Sequence, residues 1–219
     1  MLRGAIFDFD GTLFDSMFVW ETAGDIFLAS HGLTATEDLQ EALRTLSLYD
    51  SACYLRENYG LALSPEEIVA GINRTVEHFY FQVVQPKPGA AAFLEALRAR
   101  GVKLALATAT DRYLVEAALR RCDMDRFFPV ICTCGELGHG KGEPQVFRAA
   151  LAALGTTREN TLVLEDACHA LETAKADGFR TVGVYDAHES RREALRAAAD
   201  FFLEDYQDTV SFWAFASQL

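Results

Sequence analysis

Asp8 and Asp10 stand two residues apart at the end of a short apolar run, Gly4-Ala5-Ile6-Phe7, and Gly11-Thr12 follows at once. The run is too short for a helix and suits a buried strand. Residues i and i+2 of an extended chain point to one face, so the two carboxylates are expected to share a small volume at the strand's C-terminal end. Open parallel sheets bind ligands at those ends. Two acids held that close repel unless a cation or a shared proton relieves them. A turn built from Asp and Gly accounts for the glycine but not for the pair.

Three further segments supply matching parts. The apolar run 102–107 ends in Thr108-Ala109-Thr110, a hydroxyl followed by backbone N–H groups at a helix start, which is a natural seat for phosphate. Thr110 or Asp111 also suits a plain cap there. The loop Gly138-His139-Gly140-Lys141-Gly142 offers one of only four lysines in the chain, and the run 161–164 ends in a second acidic pair, Glu165-Asp166.

The elements that must position these groups follow from pattern. From Lys87 onward, helices alternate with short apolar strands near 102–107, 129–133, 161–164, 181–184 and 201–203. This alternation implies an α/β fold, a Rossmann-like parallel sheet with helices on both faces. Residues 16–85 read instead as helices only, with breaks near Gly32, Gly60 and Ser64-Pro65. The first helix is opened by Ser16 as its cap; the others are expected over 36–46, 51–59 and from Ser64 onward. The expected organisation is a core domain of residues 1–15 and 86–219, with an all-helical cap domain, 16–85, inserted beside the loop that carries Asp8 and Asp10.

With 20 basic and 32 acidic residues the net charge is −12, which argues against nucleic acid or an anionic membrane as partner. No apolar stretch is long enough for a transmembrane helix, and no signal peptide is evident. Five scattered cysteines fit reduced thiols and a cytoplasmic location. Cys132 and Cys134, one residue apart, read as small buried hydrophobes rather than a metal or redox pair. A monomer or weak homodimer is expected.

Asp8-Phe9-Asp10-Gly11-Thr12, Thr108, Lys141 and Glu165-Asp166, in that order and at strand ends, resemble the four motifs of the haloacid dehalogenase superfamily of phosphotransferases. The insertion at 16–85 looks like that family's helical cap of the first type. The resemblance implies a Mg²⁺-dependent phosphomonoester hydrolase acting on a small phosphorylated metabolite. Asp8 would attack phosphorus and form an aspartyl-phosphate, with Asp10 as acid and base. Thr108, the Ala109 N–H, Lys141 and Gly11 would receive the phosphoryl group. Mg²⁺ would sit on the Asp8 and Asp166 carboxylates and the Asp10 carbonyl, with Glu165 acting through water. Unit charges 4 Å apart at an effective dielectric of 20 interact by about 4 kcal/mol, so attack by one anion on another needs the local cations that Lys141 and Mg²⁺ supply.

The chain departs from the family pattern at Gly142, where proline is usual, and at Ala167 and Ala170, where a small hydroxyl and a glycine are usual. Asp10 argues against the dehalogenase branch, which lacks it. The absence of lysine from 16–85 argues against a Schiff-base phosphonatase. Trp20 stands near the place of a histidine found in β-phosphoglucomutase-like members, which favours hydrolysis, although a phosphomutase or a non-catalytic regulatory protein stays as an alternative. Substrate selection is expected from the cap, with Arg44 and Tyr49 preferred over Tyr54, Arg56 and Arg74.

Overall fold

The structure, a computed structural model, describes residues 1–44 and 46–218. Among these residues the main sheet has six strands, all parallel, in the order β5-β4-β1-β6-β7-β8. They are β1 (Gly4–Phe7), β4 (Lys103–Thr108), β5 (Val130–Thr133), β6 (Thr161–Glu165), β7 (Arg180–Val184) and β8 (Phe201–Leu203). β1 is central and buried at every residue, as its unbroken apolar run requires. It pairs with β4 on one side and β6 on the other, so the ends of these three strands lie together.

Helices α5 (Ala90–Ala99), α6 (Arg112–Arg121), α8 (Gln145–Leu154), α9 (Cys168–Ala176) and α10 (Arg192–Ala198) fall between the strands. Their apolar faces bury Phe93 and Leu97 on α5, Leu114 and Val115 on α6, and Val146 and Phe147 on α8. Two α-helices lie outside the sequence expectation. A one-turn helix, α7 (Cys134–Leu137), follows β5 directly, and α11 (Thr209–Ala216) packs Phe212 against Phe93 and Phe201. Helix α11 is apolar nearly all round, so no stripe marks it in the sequence.

Between β2 (Phe14–Asp15) and β3 (Gln85–Pro86), which pair as an antiparallel ribbon, lie the helices α1 (Met17–Ser30), α2 (Leu39–Leu43), α3 (Leu48–Tyr59) and α4 (Pro65–Gln82). Helix α4 starts where the sequence requires: Pro65 is its first residue, Ser64 accepts from the Glu67 N–H at 3.2 Å, and Glu67 accepts from the Ser64 N–H at 2.7 Å. Helix α2 is shorter than the expected 36–46, and α3 begins at Leu48, because Ser47 rather than a later residue accepts the Asp50 N–H. One apolar cluster runs from the sheet through Phe9, Phe14 and Tyr80 to Val76, Ile72 and Phe27 among these helices. No helix among the described residues is long and apolar enough to cross a membrane.

Candidate active site

The loop after β1 carries the first pair of acids, and it does not continue as a strand. Leu13 and Phe14 both donate backbone N–H groups to the Phe9 carbonyl, Gly11 donates to the Phe14 carbonyl, and Gly11 has φ +71°. This tight turn replaces the extended geometry expected from i, i+2 spacing, and it gives Asp8 and Asp10 different partners. Asp8 meets the Lys141 ammonium. Both oxygens of Asp10 are instead engaged by hydroxyls. Ser16 Oγ donates to Oδ1 at 2.7 Å, the Tyr80 phenol donates to the same oxygen, and Thr110 Oγ1 donates to Oδ2 at 2.6 Å. Burial first, then the nearby Asp8 charge, raise the Asp10 carboxyl above its ordinary range against the pull of these donors.

Lys141, on the loop before α8, bridges two acids. Its Nζ bonds to Asp8 and donates to Glu165 Oε1 at 2.5 Å. All three side chains are buried. Desolvation works against the ammonium, but Asp8 and Glu165 outweigh it and hold the lysine above its usual range. Glu165 is thus engaged directly by Lys141. Desolvation raises the Glu165 carboxyl even with Lys141 beside it.

Asp8, Glu165 and Asp166 each offer an oxygen within 4.8 Å of the others. Lys141 pairs with two of these three buried carboxylates, Asp8 and Glu165, whereas the cation that acts on Asp166 is Lys87. Asp166, which accepts from Thr12 Oγ1 at 2.9 Å, is raised by burial and then by Asp8 and Glu165. An all-oxygen, acid-rich set of this kind fits a hard divalent cation. The Asp10 side chain lies outside this set. Thr12 is itself anchored, its carbonyl accepting from the buried Tyr206 phenol at 3.0 Å.

Gly11 is a place where only glycine fits. A Cβ there would lie 2.2 Å from Asp166 Oδ2, and φ +71° strains any other residue. Gly11→Ala is therefore expected to destabilise the fold by about 1–3 kcal/mol and to displace Asp166. Urea denaturation checks this, and wild-type stability would contradict it.

Thr108 ends β4 with a buried side chain, and its Oγ1 accepts the Thr110 N–H at 3.1 Å. Thr110 does not cap α6; its hydroxyl goes to Asp10. Asp111 holds the cap position without a side-chain cap bond and accepts from Asn73 of α4 at 2.5 Å. Ser16 likewise makes no cap bond, because its hydroxyl is committed to Asp10. The cysteines are free thiols; Cys134 is buried, and desolvation lifts it to about 11.

A cleft of about 1080 Å³ opens between the helices of 47–77 and the loops after β4 and β5, lined among others by Tyr49, Asn73, Arg74, Ala109, Cys134 and His139. Ala109, the residue after Thr108, and Thr133 and Cys134 at the end of β5 are in its lining, so the cleft adjoins the C-terminal ends of β4 and β5. Tyr49 lies in its wall, with its phenol 3.4 Å from Glu66 Oε1. Arg44 does not line it. That guanidinium pairs with Glu41 at 2.8 Å and donates to Ser190 Oγ at 2.5 Å on the loop after β7. Arg74 is the arginine of α4 that reaches the cleft, and Tyr54 and Arg56 lie outside its wall. Sequence reasoning missed Ser16, Thr110 and Tyr80 as partners of Asp10. Ser16 and Thr110 were visible as hydroxyls at helix starts, whereas nothing local marks Tyr80, 70 residues away.

A family model described as haloacid dehalogenase-like hydrolase matches residues 2–178. The phosphorylated carbohydrates phosphatase of Thermotoga maritima is 27% identical over 199 residues, 90% of this chain and 92% of that protein. Protein CbbY of Rhodobacter capsulatus is 31% identical over 192 residues, covering 83% and 84%. The crystal structure of CbbY from Rhodobacter sphaeroides in complex with phosphate has a TM-score of 0.84 at 24% identity, covering 96% of this chain and 97% of that one.

Proposed function

The chain belongs to the haloacid dehalogenase-like hydrolases and is a phosphatase, and on that premise we propose that it hydrolyses a small phosphorylated carbohydrate through an aspartyl-phosphate on Asp8. The observation that carries the reading is the division of partners within the first acidic pair. Asp8 is paired with a buried ammonium and, among the described residues, accepts from no hydroxyl, while Asp10 is held by three hydroxyls and is raised toward its protonated form. One acid is kept charged for attack and the other is kept ready to give a proton.

In the first step an Asp8 oxygen attacks phosphorus in line. The bond from phosphorus to the leaving alkoxide breaks, and Asp10 delivers its proton to that oxygen. In the second step water attacks the same phosphorus and passes a proton to Asp10, and the bond to Asp8 breaks. Lys141 sets its charge beside the phosphoryl oxygens, assisted by N–H groups at Thr108–Ala109. Glu165 orients Lys141 from the far side. Mg²⁺ held by Asp8 and Asp166, with Glu165 adjoining and the Asp10 carbonyl as a further donor, would offset the repulsion between two anions. Residues 16–85 act as a cap domain over a core of 1–15 and 86–219, and the cleft with Tyr49 and Arg74 receives the carbohydrate.

The test is phosphate release from p-nitrophenyl phosphate and from a panel of sugar phosphates with Mg²⁺ present; failure to hydrolyse any monoester sinks the reading. The metal assignment has its own readout. Mg²⁺ at about 100 times its Kd is expected to stabilise the fold by about 2.7 kcal/mol, measured as a rise in Tm that EDTA reverses. Asp166→Asn should lose that rise. A Tm indifferent to Mg²⁺ would contradict the carboxylate cluster as its site.

A further inference from the structure

Asp10 is bound to residues that no motif contains. We propose that Tyr80, itself held by Trp20, is a positioning residue that fixes which oxygen of Asp10 exchanges the proton. The inference rests on the acid–base reading of Asp10 given above and adds to it a named oxygen and two residues from outside the motifs.

Lone-pair accounting carries the argument. A carboxylate oxygen accepts about two hydrogen bonds. Oδ1 of Asp10 takes one from Ser16 Oγ at 2.7 Å and one from the Tyr80 phenol, and is full. Oδ2 takes one, from Thr110 Oγ1 at 2.6 Å, and keeps a site open. The proton therefore leaves from and returns to Oδ2.

The direction of the Tyr80 bond is set by chemistry rather than by choice. Trp20 Nε1 lies 2.8 Å from the Tyr80 oxygen, and an indole nitrogen only donates. The phenol oxygen must accept there, so its own hydrogen is directed at Asp10. Ser16 has a second acceptor within reach, the Phe14 carbonyl at 3.4 Å, and can let go of Asp10. Tyr80 is held more firmly. Its ring is fully buried, lies nearly parallel to Phe9 with centroids 6.0 Å apart, and meets the Trp20 ring at 6.4 Å. Tyr80 sits two residues before the end of α4, next to the β2–β3 ribbon, and Trp20 sits in the first turns of α1. Both ends of the helical segment thus grip one carboxylate.

Tyr80→Phe removes the O–H and keeps the ring. A leaving group that needs a proton should then suffer more than one that does not. We expect kcat/KM for phenyl phosphate to fall by about tenfold or more, a share of the roughly 10²–10⁴-fold that a positioned acid supplies, while p-nitrophenyl phosphate changes by less than about threefold. Trp20→Phe, which frees the phenol to turn, should show the same selectivity to a smaller degree and serves if Tyr80→Phe does not fold. Equal losses on both esters, or no loss on either, would overturn the proposal. Asp10→Asn measured alongside separates the two readings. If Asp10→Asn is selective and the Tyr80 and Trp20 variants are not, only the positioning role fails. If Asp10→Asn is itself unselective, the acid reading falls and this proposal with it.

Discussion

Asp8→Asn is expected to lower phosphate release by about four to six orders of magnitude, the scale seen when a covalent nucleophile is removed, without unfolding the chain. The amide keeps the shape of the side chain and its place at the end of β1, where the Asp8 N–H donates to the Leu164 carbonyl at 3.0 Å. What it loses is the anion that faces Lys141. An amide nitrogen or oxygen does not displace an alkoxide from phosphorus, and the hydroxyl network on Asp10 cannot substitute for it. The variant is checked by continuous assay with p-nitrophenyl phosphate, with circular dichroism to establish that it is folded. Activity within tenfold of wild type would remove Asp8 from the mechanism.

Lys141→Met should be the most damaging change to stability among the site residues. It leaves Asp8 and Glu165 buried with no cation between them, and breaking such a buried arrangement costs about 3–5 kcal/mol. The loss has a sign in pH. Without the ammonium, burial holds the folded-state pKa of the Glu165 carboxyl still further above its unfolded value. The native state then binds more protons than the unfolded state across the window between those values, so stability falls as pH rises through it. The lysine's own contribution runs the same way in the wild type: raised by Asp8 and Glu165 against desolvation, it is fully present below the ordinary lysine value. Urea denaturation in the presence of a chelator is therefore expected to show a deficit at about pH 8 that shrinks near pH 5, where Glu165 takes up a proton. A deficit of the same size at both values, or a larger one at low pH, would mean that the ammonium is not neutralising these acids.

The parts of the site that lie within a few residues of a strand end were legible in the sequence, because a strand end is a local event. Gly4–Phe7 is apolar throughout and too short for a helix, and Thr108 and Glu165 each close a run of the same kind. The parallel sheet then follows, and with it the meeting of β1, β4 and β6 at one edge. The turn at Gly11 was not legible. Two acids at i and i+2 suggest one shared face, and only the closure of Phe9 onto Leu13 and Phe14 separates their partners. The roles of Ser16 and Thr110 were obscured for a related reason. A hydroxyl at a helix start has a ready local use as a cap, and here both are drawn instead to a buried carboxylate that only the tertiary fold brings within 2.7 Å.

The helical segment 16–85 was readable as helices but not as a surface. Ser64-Pro65-Glu66-Glu67 announces α4 unambiguously, yet nothing in the spacing of α4 says that Tyr80 reaches Asp10 or that Asn73 reaches Asp111. The same limit explains Arg44. Its charge and loop position suit an anion, but Glu41 one turn away and Ser190 across the molecule engage it, and Arg74 reaches the cleft from α4. Side chains of long reach are assigned by the fold, not by the pattern.

The central claim is the covalent intermediate on Asp8, and rapid acid quench of the enzyme with labelled sugar phosphate or p-nitrophenyl phosphate tests it most directly. Digestion after arginine and lysine releases residues 4–44 as one peptide, and fragmentation of that peptide locates the phosphoryl group. The account predicts label on Asp8, lost in Asp8→Asn and persisting longer in Asp10→Asn. Phosphate release with no labelled peptide, or label carried by Asp10, would contradict it.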